Sequence, residues 1–174
     1  MRVRIAHSSN ATESIQGQRV TGSATQRTVS VLSLGGTIAM TNPRRDGAGV
    51  VPTLDAAALL AAIPELSRLD CKITTRNLRN LPGASLSFDD LSELVTVVRG
   101  EIDSGAEGVV ITQGTDTIEE TAYLLDLTVN RDAPVVVTGA MRNPTMAGAD
   151  GPANLLAAVQ TAAGKQLRGM AAWS

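Results

Sequence analysis

The sequence is short of most residue types that metal, thiol and nucleotide chemistry draw on. It holds one cysteine, Cys71, which excludes an internal disulfide and a Cys-based zinc site. Its one histidine, His7, sits in a polar stretch near the start, so neither a Ser-His or Cys-His nucleophile pair nor a histidine metal cluster is available. Lysine occurs only at positions 72 and 165, and neither follows a glycine-rich loop. No G-x-G-x-x-G or G-x-x-x-x-G-K-[ST] pattern occurs, so these two phosphate cradles are missing. Aromatic residues are limited to Phe88, Tyr123 and Trp173. That leaves no stacking platform for single strands, and the core has to come from Ala, Val, Leu and Ile. Fifteen basic residues against 17 acidic ones give a net charge of −2, which is no footprint for nucleic acid. No run approaches the ~20 apolar residues of a membrane-spanning helix. Chemistry is left to hydroxyls, carboxylates and backbone groups, and no metal or cofactor is expected.

What is present suits one folded domain. At 174 residues, 43% hydrophobic and 18% charged, the chain can build a core. Residues 1–27 read as a flexible polar extension rich in Ser, Thr, Gln and Arg, without the apolar stretch of a secretory signal. A cytoplasmic protein is expected. From residue 28 short β-branched runs alternate with helical stretches. TVSVLSL (28–34), CKITTRNL (71–78), GVVIT (108–112), PVVVT (134–138) and GMAAW (169–173) read as strands. LDAAALLAAI (54–63) is helical up to Pro64. Ser87 is the expected N-cap of a helix from Phe88. TIEETAYLLDLTV (117–129) is helical and carries Tyr123, for which core packing is expected. Asp150 or Gly151, followed by Pro152, opens a further helix that Gly164 closes. Apolar strands alternating with helices predict an α/β fold, a three-layer α/β/α sandwich around a mostly parallel sheet.

In such a sheet the loops after the strands line the ligand crevice. Here they read LGGTIAM (34–40), NLPGASLS (80–87), TQGTDT (112–117) and TGAMR (138–142). Three of them converge Thr37, Ser85, Thr115 and Asp116 on one region. Their glycines permit close backbone approach and leave N–H groups free for an oxyanion. Taken singly, each loop is also ordinary turn chemistry, and Thr115 or Thr117 could cap the next helix. Asp116 would suit a helix start, but Glu119 and Glu120 already fill that role, which favours ligand binding for Asp116.

Gly35-Gly36-Thr37-Ile38-Ala39 and the run from Thr112 to Tyr123, TQGTDTIEETAY, resemble the two signature segments of the bacterial-type L-asparaginase family. Pro134–Arg142, followed by ADGPANL (149–155), is similar to a third segment, in the same order and spacing. The resemblance spans about residues 28 to 170, which is the family's larger, N-terminal, Rossmann-like or flavodoxin-like domain. It implies that residues 28–174 are that domain. It also implies hydrolysis of L-asparagine to L-aspartate and ammonia without metal or cofactor, with L-glutamine as the alternative amide. By position Thr37 is the nucleophile and Thr115 helps activate or orient it. Asp116 holds the substrate amino group. Gly36, Gly114 and Ala140 contribute backbone contacts, and Ser85 is the nearest match to a substrate-binding serine, a turn or cap role standing equally open for it.

Four departures accompany the resemblance. The segment Thr41–Pro52 has no tyrosine where the family places one. Gly83 aligns where the family has its serine, and Ser85 lies two residues on. The family lysine that pairs with the second threonine falls beyond residue 174, and so does the smaller C-terminal domain. Self-association into a homo-oligomer is expected from the apolar last strand. A non-catalytic domain that binds an amino acid or a protein partner is the alternative reading, and a nucleotide-binding module has only the fold class behind it.

Overall fold

A computed structural model describes residues 26–41, 51–52, 54–164 and 170–172. The polar extension through residue 25, most of the segment between Thr41 and Pro52, Lys165 and Trp173 lie outside the described residues.

The chain runs β1 (Arg27–Gly35), β2 (Met40–Thr41), β3 (Val51–Pro52), α1 (Ala56–Ala61) and β4 (Cys71–Leu81). It continues through α2 (Phe88–Asp103), β5 (Gly108–Thr112), α3 (Ile118–Thr128), β6 (Val135–Thr138), α4 (Gly151–Ala163) and β7 (Met170–Ala172). Five strands form one sheet in the order β4-β1-β5-β6-β7, and every pairing is parallel. Counting only these five, the order is 2-1-3-4-5, the flavodoxin-like arrangement. The strands β2 and β3 are an added two-residue antiparallel pair that the sequence pattern did not predict.

Both faces of the sheet are covered, which explains why its central strands are apolar without interruption. Val29, Val31, Val110 and Val136 face one way and pack under Leu59, Leu155, Ala158 and Val159, from α1 and α4. Leu32, Leu34, Val109, Ile111, Val135 and Val137 face the other way, against Leu94, Val98 and Leu125 of α2 and α3. The core is aliphatic, as the scarcity of aromatics requires. Tyr123 corrects the sequence reading: it is 67% exposed on α3, because Ala122 and Leu125 occupy the face turned to the sheet. Phe88 is exposed as well.

Several boundaries moved for local reasons. β1 starts one residue early, because the Arg27 guanidinium donates to the Glu107 and Gly164 carbonyls at 2.8 and 3.2 Å. β4 extends to Leu81, and the Leu81 carbonyl accepts the Gly36 N–H at 3.0 Å. The predicted helix over 54–63 shortens to Ala56–Ala61, with Asp55 as its N-cap at 2.7 Å from Ala58 N and a 3-10 turn from Pro64. Cys71 is buried at the start of β4. Burial, with Asp70 beside it, pushes its thiol pKa up, so it behaves as a core residue and not a nucleophile.

Candidate active site

Parallel strands place the four loops after β1, β4, β5 and β6 at one edge of the sheet. The chain order reverses between β1 and β5, so the crevice between their following loops is where an open α/β sheet receives a ligand.

The loop after β1 turns sharply. Gly36 has φ +82°, a conformation that L side chains rarely adopt, and it leads into the 3-10 turn Thr37–Ala39. Ile38 and Ala39 are buried in that turn, and Thr37 is half-buried. Backbone bonds pin it from both sides: Ala39 N–H donates to Gly36 O, and Leu54 N–H to Ala39 O, each at 3.0 Å.

Three glycines weld the loops together. A Cβ on Gly36 would strike the Gly114 backbone nitrogen, and one on Gly83 would meet Gly114 O at 2.8 Å. Only a glycine junction lets the loops after β1, β4 and β5 approach this closely. The Thr37 and Thr115 turns are therefore neighbours through backbone contact of the residues that precede them. A second tie runs through Thr117, which stands at the N-cap of α3 but forms no side-chain cap. Its hydroxyl donates to Gly83 O at 3.2 Å and faces the Gln113 amide nitrogen at 3.4 Å. Gln113 is fully buried, and its Oε1 has no hydrogen-bond partner among the described residues.

The remaining predicted residues are distributed around this junction. Thr115 is half-buried, and its methyl lies over Gly139, 3.2 Å from where a Cβ would stand. Asp116 is exposed, and no hydrogen bond or ion pair engages its carboxylate among the described residues. Ser85 is exposed at the end of the 3-10 turn Gly83–Ser85, with its N–H on Pro82 O at 3.0 Å. Ala140 is buried. The structure thus gathers Gly36, Thr37, Gly114 and Thr115 at the crevice, brings the Gly83–Ser85 turn in through Gly83, and sets Gly139-Ala140 beside Thr115.

Two features escaped the sequence reading. Ser33, Thr112 and Thr138 stand in register across β1, β5 and β6 and form a row of buried hydroxyls beneath the loops. Thr112 and Thr138 have no hydrogen-bond partner among the described residues. Hydroxyls inside valine-rich strands were the available signal. The second feature is Asp150. It stands at the start of α4 but caps nothing with its side chain; instead it accepts the N–H groups of Met141 and Arg142 at 3.0 and 2.9 Å. Burial pushes its pKa up, but these two bonds, a third from its own N–H and one from the Asn154 amide outweigh burial and leave it below the usual carboxylate value.

A cleft beneath the Thr37 turn is lined by Ile38, Leu59, Ile63, Pro144, Pro152 and Leu155. These apolar walls suit neither the ammonium nor the carboxylate of an amino acid.

The model of the asparaginase N-terminal domain family matches residues 28–172. The chain belongs to the asparaginase family. It is 40% identical over 144 residues to an L-asparaginase of Bacillus licheniformis, covering 81% of this chain and 43% of that protein. It is 38% identical over 151 residues to a glutaminase-asparaginase of Pseudomonas fluorescens biotype A, covering 81% and 40%. Among solved structures, a probable cytoplasmic L-asparaginase from Campylobacter jejuni superposes with a TM-score of 0.75 at 34% identity, covering 84% of this chain and 43% of that one. The α/β fold of the asparaginase N-terminal domain is therefore the fold of this chain. The chain spans about two fifths of the length of the relatives it matches.

Proposed function

We propose that this chain carries the nucleophile-bearing part of an L-asparaginase site and hydrolyses the side-chain amide of L-asparagine to L-aspartate and ammonia. The observation that carries the reading is the Gly36–Gly114 contact. It sets the Thr37 and Thr115 turns side by side at the switch between β1 and β5, in a chain of this family.

In the proposed sequence the Asp116 carboxylate holds the substrate ammonium, with no competing partner among the described residues. The exposed Ser85 makes a further substrate contact. Thr37 Oγ attacks the amide carbon while Thr115 helps orient or take up its proton. The backbone beside Gly114 and Thr115 supports the developing oxyanion, Gly36 shapes the turn that presents Thr37, and the backbone at Ala140 receives the amide end. A C–O bond to Thr37 forms, the C–N bond breaks, and ammonia leaves with the transferred proton. Water then cleaves the ester, releasing L-aspartate and restoring the hydroxyl.

Domain assignment follows the same reading: residues 28–174 form the N-terminal asparaginase domain, behind a polar extension. A homo-oligomer in the cytoplasm is proposed with it. No helix among the described residues is long and apolar enough to cross a membrane. Fractionation of expressing cells tests the compartment.

Ammonia release from L-asparagine by the purified chain is the direct test. Thr115→Val should reduce it by about 10²- to 10⁴-fold, the range for loss of a group that helps move a proton, and Thr37→Ala, which removes the attacking hydroxyl, by at least as much. A folded chain that binds L-asparagine but releases no ammonia would replace hydrolysis with binding. The glutaminase-asparaginase relative makes L-glutamine the substrate to run alongside.

A further inference from the structure

The end of α4 nearest the site is fixed to two of its loops at once. Asp150 Oδ2 accepts the Met141 N–H at 3.0 Å and Oδ1 the Arg142 N–H at 2.9 Å. Asn154, one turn later, donates its amide both to Asp150 Oδ2 at 3.3 Å and to Gly139 O at 3.1 Å. Two side chains of one helix thereby hold the loop after β6 on both sides of Ala140. No hydrogen bond among the described residues engages the N–H or C=O of Ala140 itself. Gly151, the next residue along, closes on the other loop: a Cβ there would stand 2.9 Å from Cγ1 of Ile38, which follows Thr37.

The chemistry of this clamp needs an ionised carboxylate. Its two oxygens accept only, so each can take one of two adjacent backbone N–H groups. An amide in the same place would turn its NH2 against one of them. Few charges compete among the described residues. α4 has no ionisable side chain, and Arg142 is the sole other one between Thr138 and Gly151. The elements packed on α4 add Arg27, bonded to Gly164 at the far end of the helix, and the exposed Glu65 and Arg68.

We propose that Asp150, supported by Asn154, is a positioning residue that sets the Ala140 peptide for the amide end of the substrate while α4 braces the Thr37 turn. This rests on the asparaginase reading above. Misplacement of a reacting group by about 1 Å can cost on the order of 10²-fold in rate. Loss of the clamp therefore acts on kcat, while the ammonium contact at Asp116 leaves KM nearly unchanged.

Two variants of the full chain test it, Asp150→Asn and Asn154→Ala, by ammonia-release kinetics and amide NMR. In Asp150→Asn the Met141 and Arg142 amide resonances should move upfield with the remaining spectrum native, and kcat should fall roughly 10- to 100-fold with KM within about twofold. Asn154→Ala keeps the two Asp150 bonds and should give a smaller fall in kcat, with the Ala140 and Met141 amides displaced. L-asparagine added to the parent should shift the Ala140 amide, and this response should vanish in Asp150→Asn. A parent that turns over L-asparagine while both variants keep its kcat overturns the positioning role alone. A parent with neither turnover nor an L-asparagine shift at Ala140 brings down the function and this role together.

Discussion

Thr112 and Thr138 stand directly opposite each other on β5 and β6, both fully buried, in positions where valine would continue the strands. A buried hydroxyl without a partner costs about 1–3 kcal/mol. If neither has one, removing it should relieve that cost. Thr112→Val or Thr138→Val should thus leave stability unchanged or raise it by about 1 kcal/mol, read by chemical denaturation. A loss of more than about 1 kcal/mol would instead reveal an ordered water bridging the two. At this scale the sequence was readable where residue type and spacing coincide. Thr37 and Thr115 follow Gly-rich strand ends, and the same glycines turned out to be the contact points. Asp150 was unreadable in its actual role, because an acid before Gly-Pro at a helix start equally describes a cap. Its carboxylate turns back to the loop after β6, and nothing in the local residue pattern specifies that direction. Tyr123 misled for a related reason: the helix period was right, but its phase against the sheet was set by Ala122 and Leu125.

At the scale of elements, α2 shows how a helix start can also anchor a strand. Ser87 and Asp90 form a reciprocal capping box, Ser87 N–H on Asp90 Oδ2 at 2.8 Å and Asp90 N–H on Ser87 Oγ at 3.2 Å. Arg79 of β4 reaches the same carboxylate at 2.5 Å. The Ser87 hydroxyl and N–H, then Arg79, hold the Asp90 pKa down to about 2 from 3.8. A depressed carboxylate pKa contributes stability that is fully present above the unfolded value and is lost as pH falls through the folded one. The contribution should therefore fade between about pH 4 and pH 2. Asp90→Asn should be less stable at pH 7 and show a shallower loss of stability across that window in acid titration. Ser87→Ala should cost about 1 kcal/mol. The cap was legible from Ser87 and the acids that follow it. The bounds of β5 were legible because Gly108 and Gly114 bracket an apolar run. The 3-10 turns Thr37–Ala39, Gly83–Ser85 and Thr115–Thr117 were not, because three-residue turns leave no period to read.

For the whole molecule, alternating strands and helices specified a covered parallel sheet, but not the order of its strands. That order depends on which side of β1 each crossover returns, and the hydrophobic pattern carries no sign for it. It is nonetheless what makes the site, because it parts the loops after β1 and β5. Among the described residues the site so formed is open. Thr37 and Thr115 are half-buried, and Asp116 and Ser85 are exposed. Charge stabilisation at a developing oxyanion is strongest where water is excluded. Large apolar side chains also face outward, among them Met141 at 73% and Met146 at 51% exposure in the loop after β6, beside Ala140. Covering that loop with a second copy would bury apolar surface and dry the crevice together. The expected outcome is a mass by light scattering that is a multiple of 18.0 kDa at micromolar concentration. Specific ammonia release should then rise with protein concentration through the same range in which the mass rises. A stable monomer whose specific activity is independent of concentration would separate the two, and would mean that the crevice works without a cover from its own kind.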